Sequence, residues 1–103
     1  MYSTAQLHLD HIRALCENLG VERLELFGSA VREDFDQNSS DLDFLVTFTP
    51  ALGGKSLAER YLALAEGLEG VLGKPVDLMT QSSLHNPFLR ESIESEKRTV
   101  YAA

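Results

Sequence analysis

The chain has 103 residues, the size of one domain, and we predict a single domain over residues 1–103. Sixteen acidic residues against nine Lys and Arg give a net charge of -7, which argues against a nucleic-acid-binding surface and suits a basic protein partner. No apolar stretch approaches the roughly 20 residues of a membrane span, so we expect no membrane association. Because the single cysteine, Cys16, excludes an internal disulfide, we expect a cytoplasmic protein.

The first half of the chain predicts one helix followed by two strands. Apolar residues at helical spacing predict an amphipathic helix over residues 4–19, with Gly20 as its stop. Residues 21–28 (VERLELFG) predict a short strand that leads into a helical turn. In residues 41–49 (DLDFLVTFT) the side chains alternate with a period of two, which predicts a second strand. The short connection between these strands allows an antiparallel pair.

The second half predicts two more helices and two short strands. We predict a helix over residues 57–72, a strand over 76–80 and a last short strand over 99–101. His85 is expected to cap a third helix over residues 87–96, whose apolar positions are Phe88, Leu89 and Ile93. This order of elements predicts an α/β (α+β) fold, in which helices pack against a small mixed β-sheet.

Gly28 and Ser29 stand where the first predicted strand enters a helical turn. Glycine has no Cβ, so a ligand or another backbone segment can approach it closely. The N–H groups that follow lie at a helix N-terminus, where phosphate anions bind favourably, and the Ser29 hydroxyl adds another donor. An ordinary strand-to-helix turn explains the same two residues, so this pair alone does not identify a phosphate site.

Asp41 and Asp43 are two residues apart on the second predicted strand, so their side chains point to the same face. Two carboxylates this close repel each other unless something balances their charge. A divalent cation does so, and carboxylate oxygens are preferred ligands of Mg²⁺. A solvated strand start is the alternative explanation.

Asp77 interrupts the apolar strand predicted over residues 76–80. An acid in such a strand is unexpected unless it is paired, lies near a metal or faces water from an edge strand. If this strand lies beside the strand of Asp41 and Asp43, three carboxylates can converge. Such a cluster is typical of two-metal phosphoryl and nucleotidyl transfer.

Together these residues resemble a known motif. The sequence Gly28-Ser29, followed by Arg32 and by residues 40–46 (SDLDFLV), resembles the Gly-Ser … Asp-x-Asp motif of the DNA polymerase beta-type nucleotidyltransferase superfamily. Asp77 stands in the place of the third acid of that family. The length and the leading helix are similar to the minimal nucleotidyltransferases, which are often paired with HEPN-domain toxins. The resemblance covers most of the chain, and residues 27–46 are its specific part.

The resemblance implies a nucleotidyltransferase fold and a definite chemistry. Gly28 and Ser29 would hold ATP, and Asp41, Asp43 and Asp77 would form the catalytic and metal site for two Mg²⁺ ions. Asp77 would also help deprotonate the attacking hydroxyl. AMP would pass to a hydroxyl, a tyrosine in the toxin–antitoxin branch, of a cognate HEPN toxin in a hetero-oligomeric complex.

Arg32 departs from the family pattern in its surroundings, because many members have glycine after this arginine and here Glu33 and Asp34 follow. Contact with a phosphate, contact with a partner and a surface ion pair all stay open for Arg32.

Two alternative functions of the whole chain also stay open. The chain could neutralise a toxin by binding alone, or it could modify a small molecule, although 103 residues leave little room for a substrate pocket.

Overall fold

The computed structural model describes residues 8–28, 42–50, 56–81 and 84–103. Three helices and four strands follow one another in these segments: α1 (Leu9–Leu19), β1 (Val21–Phe27), β2 (Leu42–Phe48), α2 (Leu57–Leu72), β3 (Val76–Thr80), α3 (Pro87–Glu96) and β4 (Arg98–Ala102). The predicted order of elements is confirmed. None of the helices in the described segments has the length and apolar character needed to cross a membrane.

The four strands form one mixed sheet in the order β3-β2-β1-β4. Strand β1 pairs antiparallel with both β2 and β4, whereas β2 and β3 pair in parallel. A parallel pair needs a crossover connection of a dozen or more residues, and α2 supplies it. The predicted mixed sheet and the antiparallel pairing of the first two strands are confirmed.

The helix ends show why most of the predicted boundaries are correct. Gly20 and Gly73 adopt left-handed φ values of 66° and 67°, and their N–H groups donate to the carbonyls of Cys16 and Glu69. Such a glycine satisfies the last carbonyls of a helix and ends it. At the start of α2, Ser56 accepts a hydrogen bond from the backbone N–H of Glu59.

One predicted helix start and one predicted helix cap are corrected. The described part of α1 begins at Leu9 rather than at residue 4, because His8 has a left-handed φ of 52° that a right-handed helix does not accommodate. Asn86, not His85, caps α3, since its side-chain oxygen accepts hydrogen bonds from the N–H groups of Phe88 and Leu89. Asparagine suits this position because its short side chain reaches the first free N–H groups.

The sheet buries apolar side chains on both faces. One face packs against α1 and α2 in a core formed by Ile12, Cys16, Leu19, Val21, Leu24, Leu26, Leu42, Phe44, Val46, Leu64, Leu68, Leu72 and Leu78. The other face carries a smaller cluster under α3, formed by Phe27, Leu45, Leu84 and Ile93 with Met79 against it. Of the three apolar positions predicted for α3, Ile93 is buried, whereas Phe88 and Leu89 are exposed.

The buried Arg60 holds the α1–α2 side together. The guanidinium of Arg60 donates to the carbonyl of Thr49 at 3.1 Å and to that of Gly20 at 3.4 Å, and it lies 5.0 Å from the centre of the Phe48 ring. Arg60 thereby connects α2 to the ends of α1 and β2.

Cys16 is fully buried, and this burial, followed by the charge of Glu17, raises the pKa of its thiol to about 12.

Candidate functional site

Two carboxylates lie side by side where β2 and β3 begin. The parallel pairing aligns Asp43 directly with Asp77, and neighbouring strands are about 4.8 Å apart. Both side chains point to the face that carries α3, because they alternate with Leu42, Phe44 and Leu78 in the opposite core. From the sequence, the carboxylates of Asp43 and Asp77 can converge if their strands are neighbours. The two strands are neighbours, so this requirement is met. Asp43 is half-buried and Asp77 is exposed.

Gly28 completes this end of the sheet. It follows Phe27, the residue of β1 that pairs with Asp43, and its φ of 74° lies in the left-handed region. A Cβ at Gly28 would overlap the Oδ2 atom of Asp43 and lie 3.2 Å from its Cγ. Only a residue without a side chain leaves room for the carboxylate here, so glycine is required at position 28 for both its φ and its small size.

The next row of the sheet forms the covered floor beside the site. Glu25, Leu45 and Met79 align across three strands on the same face as Asp43, and α3 packs over this row. Glu25 is 2 % exposed, and its carboxylate forms an ion pair with Lys97 Nζ at 3.0 Å.

Lys97 follows the last residue of α3 and also bonds Glu94 at 3.0 Å. Burial on its own lowers the pKa of Lys97, but the hydrogen bonds to Glu94 and Glu25 and their negative charges outweigh burial and raise it. The ion pair between Lys97 and Glu25 ties the end of α3 to the centre of the sheet. The ion pair between Glu25 and Lys97 was not predicted from the sequence. The alternation of side chains along β1 indicates that Glu25 and Leu24 point to opposite faces of the sheet, but it does not indicate that α3 covers the face of Glu25.

The remaining predicted site residues, Ser29, Arg32 and Asp41, lie outside the described residues. Within the segments that the structure describes, no group of three or more His, Cys, Asp or Glu side chains is placed to hold a metal ion. The two aligned carboxylates Asp43 and Asp77 provide hard oxygen donors of the kind that Mg²⁺ prefers. The Asp43 carboxylate occupies the space that a Cβ at Gly28 would fill, and it lies beside Asp77, so the donor types present fit a divalent cation.

Sequence comparison places relatives of this chain among protein adenylyltransferases. The model of the nucleotidyltransferase domain family matches residues 10–100. A protein of Methanocaldococcus jannaschii, provisionally named a protein adenylyltransferase, is 40% identical over 84% of this chain and 83% of its own length. The protein adenylyltransferase MntA of Thermococcus cleftensis is 40% identical over 72% of this chain and 70% of its own length.

Solved structures of the same fold extend the comparison. A structure provisionally described as a minimal nucleotidyltransferase matches with a TM-score of 0.70 and 34% identity, over 92% of this chain and 91% of that one. A toxin–antitoxin structure with AMP-PNP shares the fold at a TM-score of 0.68 and 22% identity, over 94% of this chain and 75% of that one. A complex of a tri-AMPylated HEPN toxin of Shewanella oneidensis with an MNT antitoxin shares it at a TM-score of 0.61 and 21% identity, over 95% and 72% of the two chains.

The predicted fold and the predicted enzyme class are both confirmed by these matches. The family model spans most of the chain, and relatives at 40% identity cover more than two thirds of it. The chain therefore belongs to the nucleotidyltransferase domain family of enzymes, and its fold is that of the minimal nucleotidyltransferases.

Proposed function

We propose that this protein is an antitoxin that transfers AMP from ATP to a tyrosine hydroxyl of a cognate HEPN-domain toxin and so neutralises it. The observation that carries the proposal is the alignment of Asp43 with Asp77 beside the bare Cα of Gly28. Two adjacent carboxylates on one face of the sheet suit a cation-dependent transfer of a charged phosphoryl group.

The nucleotide is bound next to the end of β1. Gly28 takes a left-handed φ where β1 ends, and Ser29 with the N–H groups after it would donate hydrogen bonds to the phosphates. Arg32 is assigned to the same phosphates, where a guanidinium adds charge and a bidentate geometry. AMP-PNP in a structure of the same fold supports ATP as the nucleotide.

Asp41, Asp43 and Asp77 would hold Mg²⁺, which when bound would offset the negative charge that builds up on the phosphates. The chain itself contributes position and proton transfer. Gly28 leaves the Asp43 carboxylate in place next to the nucleotide. Because Asp77 is exposed, it can reach the incoming hydroxyl and accept its proton.

The bond changes are those of a single displacement. The hydroxyl oxygen forms a bond to the α-phosphorus of ATP, the bond from that phosphorus to the bridging oxygen breaks, and pyrophosphate leaves. The proton of the hydroxyl passes to Asp77. AMP on the tyrosine adds a bulky, negatively charged group to the toxin.

A protein acceptor is favoured over a nucleic acid or a small molecule. The net charge of -7 disfavours nucleic acid and suits a basic partner. The relatives are named as protein adenylyltransferases, and the same fold occurs in complexes of HEPN toxins with MNT antitoxins. We assign the protein to the cytoplasm, where ATP and such a toxin meet, as one member of a hetero-oligomeric complex.

The test is a transfer assay with ATP labelled at the α-phosphate, Mg²⁺ and the cognate HEPN-domain toxin. Label should appear on the toxin, and chelation of the metal should stop the reaction. Asp43→Asn should reduce the rate by about 1000-fold, because losing metal-assisted stabilisation costs several kcal/mol of barrier. Asp10→Asn, an exposed acid on α1, is the matched control and should transfer AMP at the normal rate.

The same variants separate transfer from neutralisation by contact alone. If Asp43→Asn still suppresses the toxin fully in cells while transferring no label, the chain acts as a binding antitoxin and the proposed mechanism is wrong. If label appears on a small molecule and never on the toxin, the acceptor assignment is wrong.

A further inference from the structure

The outer surface of α3 carries an aromatic side chain that the fold does not use. Phe88 is 81 % exposed, which makes it the most exposed large apolar side chain in the described part of the chain. Leu89 beside it is 42 % exposed, whereas Ile93, one turn further along, is buried against the sheet. Helix α3 therefore packs through its inner side alone and presents Phe88 and Leu89 to solvent at its N-terminal end.

The exposed end of α3 is held firmly. Asn86 accepts hydrogen bonds from the N–H groups of both Phe88 and Leu89, and Arg90 donates to the carbonyl of Leu84 at 3.3 Å. At the other end, Lys97 is paired with the buried Glu25. An exposed aromatic on a well-anchored backbone loses little conformational freedom on binding, which is typical of an interface anchor.

An exposed acidic residue lies beside this apolar surface. Glu91 lies one turn after Phe88 on the exposed side of the helix, whereas Glu94, one turn further, is paired with Lys97. The positive charge nearest to Phe88 on α3, that of Arg90, is directed to the Leu84 carbonyl. With a net charge of -7, two copies of the chain repel each other, whereas a partner with Lys or Arg around an apolar recess is attracted.

The position of α3 relates this surface to the catalytic end of the sheet. Helix α3 lies on the same face of the sheet as Asp43 and Asp77. Asp77 is the second residue of β3, and the other end of that strand, from which the chain continues to α3, lies about 10 Å away at 3.3 Å per residue. An ordinary interface buries about 800 Å² on each partner, which is wide enough to involve more than one element of this face.

We propose that Phe88 and Leu89, with Glu91 beside them, form the docking surface for the protein that receives AMP, and that the facing surface of that protein is an apolar recess rimmed by Lys or Arg. This inference rests on the proposed function, because it assigns a binding surface to the acceptor of that reaction. It adds a determinant of acceptor choice that lies outside the Gly28, Asp43 and Asp77 site.

The first experiment measures the affinity of the full-length chain for the cognate HEPN-domain toxin by titration calorimetry. Phe88→Ser should weaken binding by about 30-fold or more, the size expected when a central aromatic anchor is truncated. Leu62→Ser is the matched control, because Leu62 is 60 % exposed on α2, on the opposite side of the sheet, and its loss should change affinity less than about twofold. Both variants should keep the wild-type melting temperature, since both side chains are exposed.

The second experiment tests the charge of the partner. Glu91→Lys should slow association by several-fold at low salt, and the difference should shrink as salt rises. Glu66→Lys, at an exposed acid of α2, makes the same change of net charge and should have a much smaller effect. Equal effects of the two variants would mean that net charge alone steers binding, which would overturn the basic rim.

The outcomes distinguish the docking surface from the transfer reaction. If wild-type protein labels the toxin and Phe88→Ser binds it normally, the docking surface is refuted and the proposed function stands. If Phe88→Ser loses affinity but wild-type protein transfers no AMP, the docking surface stands and the proposed function fails. Wild-type protein that does not bind the toxin, or that forms a dimer which Phe88→Ser dissociates without affecting toxin binding, would overturn the docking surface. Saturating toxin should restore the turnover rate of Phe88→Ser, since the variant changes KM and leaves Asp43 and Asp77 intact.

Discussion

Replacing Gly28 with alanine tests whether the site depends on the space beside Asp43. The added Cβ would overlap Oδ2 of Asp43 and lie 3.2 Å from its Cγ, so the carboxylate has to move. Catalytic groups must be held within about 0.5 Å of their working position, and a displacement of about 1 Å costs about 100-fold in rate. We therefore expect Gly28→Ala to reduce AMP transfer by about 100-fold.

The backbone of Gly28 adds a second, smaller effect. Its φ of 74° is left-handed, and a residue with a Cβ in that region costs about 1 kcal/mol. For a domain of this size, that loss lowers the melting temperature by about 4–8 °C. The variant should therefore remain folded at 25 °C, and its loss of rate should exceed anything that unfolding explains.

Two other glycines separate these effects. Gly73 has a φ of 67° with open space where a Cβ would go, so Gly73→Ala should show the loss of stability without the loss of rate. Gly70 lies inside α2, also with open space, and Gly70→Ala should stabilise the protein by about 0.5–1 kcal/mol. The assays are labelled AMP transfer and thermal unfolding of all three variants. A Gly28→Ala protein that transfers AMP within threefold of the wild-type rate would refute the argument that Asp43 needs this space.

Two further predictions concern the core. Arg60→Met should reduce the free energy of unfolding by about 2 kcal/mol. The substitution removes the hydrogen bonds to the carbonyls of Gly20 and Thr49 and the cation–π contact with Phe48, whereas the aliphatic part of the side chain still packs. Urea unfolding measures this loss, and Arg13→Met, at an exposed arginine of α1, should be nearly neutral. The thiol of Cys16, with a pKa raised to about 12, should react with a thiol reagent at pH 8 only as fast as the protein unfolds, and burst labelling of native protein would contradict its burial. Because this thiol ionises at lower pH in the unfolded chain, the stability that its burial contributes is present below pH about 9 and is lost as the pH rises toward about 12.

Local signals were sufficient to predict nearly all of the described helices and strands. Helix α2 occupies residues 57–72 as predicted, because a serine cap and a left-handed glycine mark its two ends within the chain itself. The start of α3 shows the limit of such signals. His85 and Asn86 are adjacent polar residues before Pro87, and the side-chain geometry decides that Asn86 is the cap.

The candidate site required both kinds of information. The motif from Gly28 to Asp43 was evident from residue types and spacing, because a turn and a strand of fixed period place those groups locally. Asp77 lies 34 residues beyond Asp43 along the chain, and its place in the site depended on which strands are neighbours. The parallel pairing of β2 with β3, made possible by the α2 crossover, aligned the two carboxylates.

The sequence by itself determined the elements, the family motif and the place of Asp43 on its strand, since each depends on residues close together in the chain. Only the tertiary structure decided which apolar side chains are buried and which acids are covered. Phe88, Leu89 and Ile93 look alike as apolar positions of one helix, but the sheet covers Ile93 alone of the three. The local motif was therefore sufficient to identify Asp43 as a site residue. The alignment of Asp77 with Asp43 and the exposure of Phe88 on α3 depend on long-range packing, which no local pattern encodes.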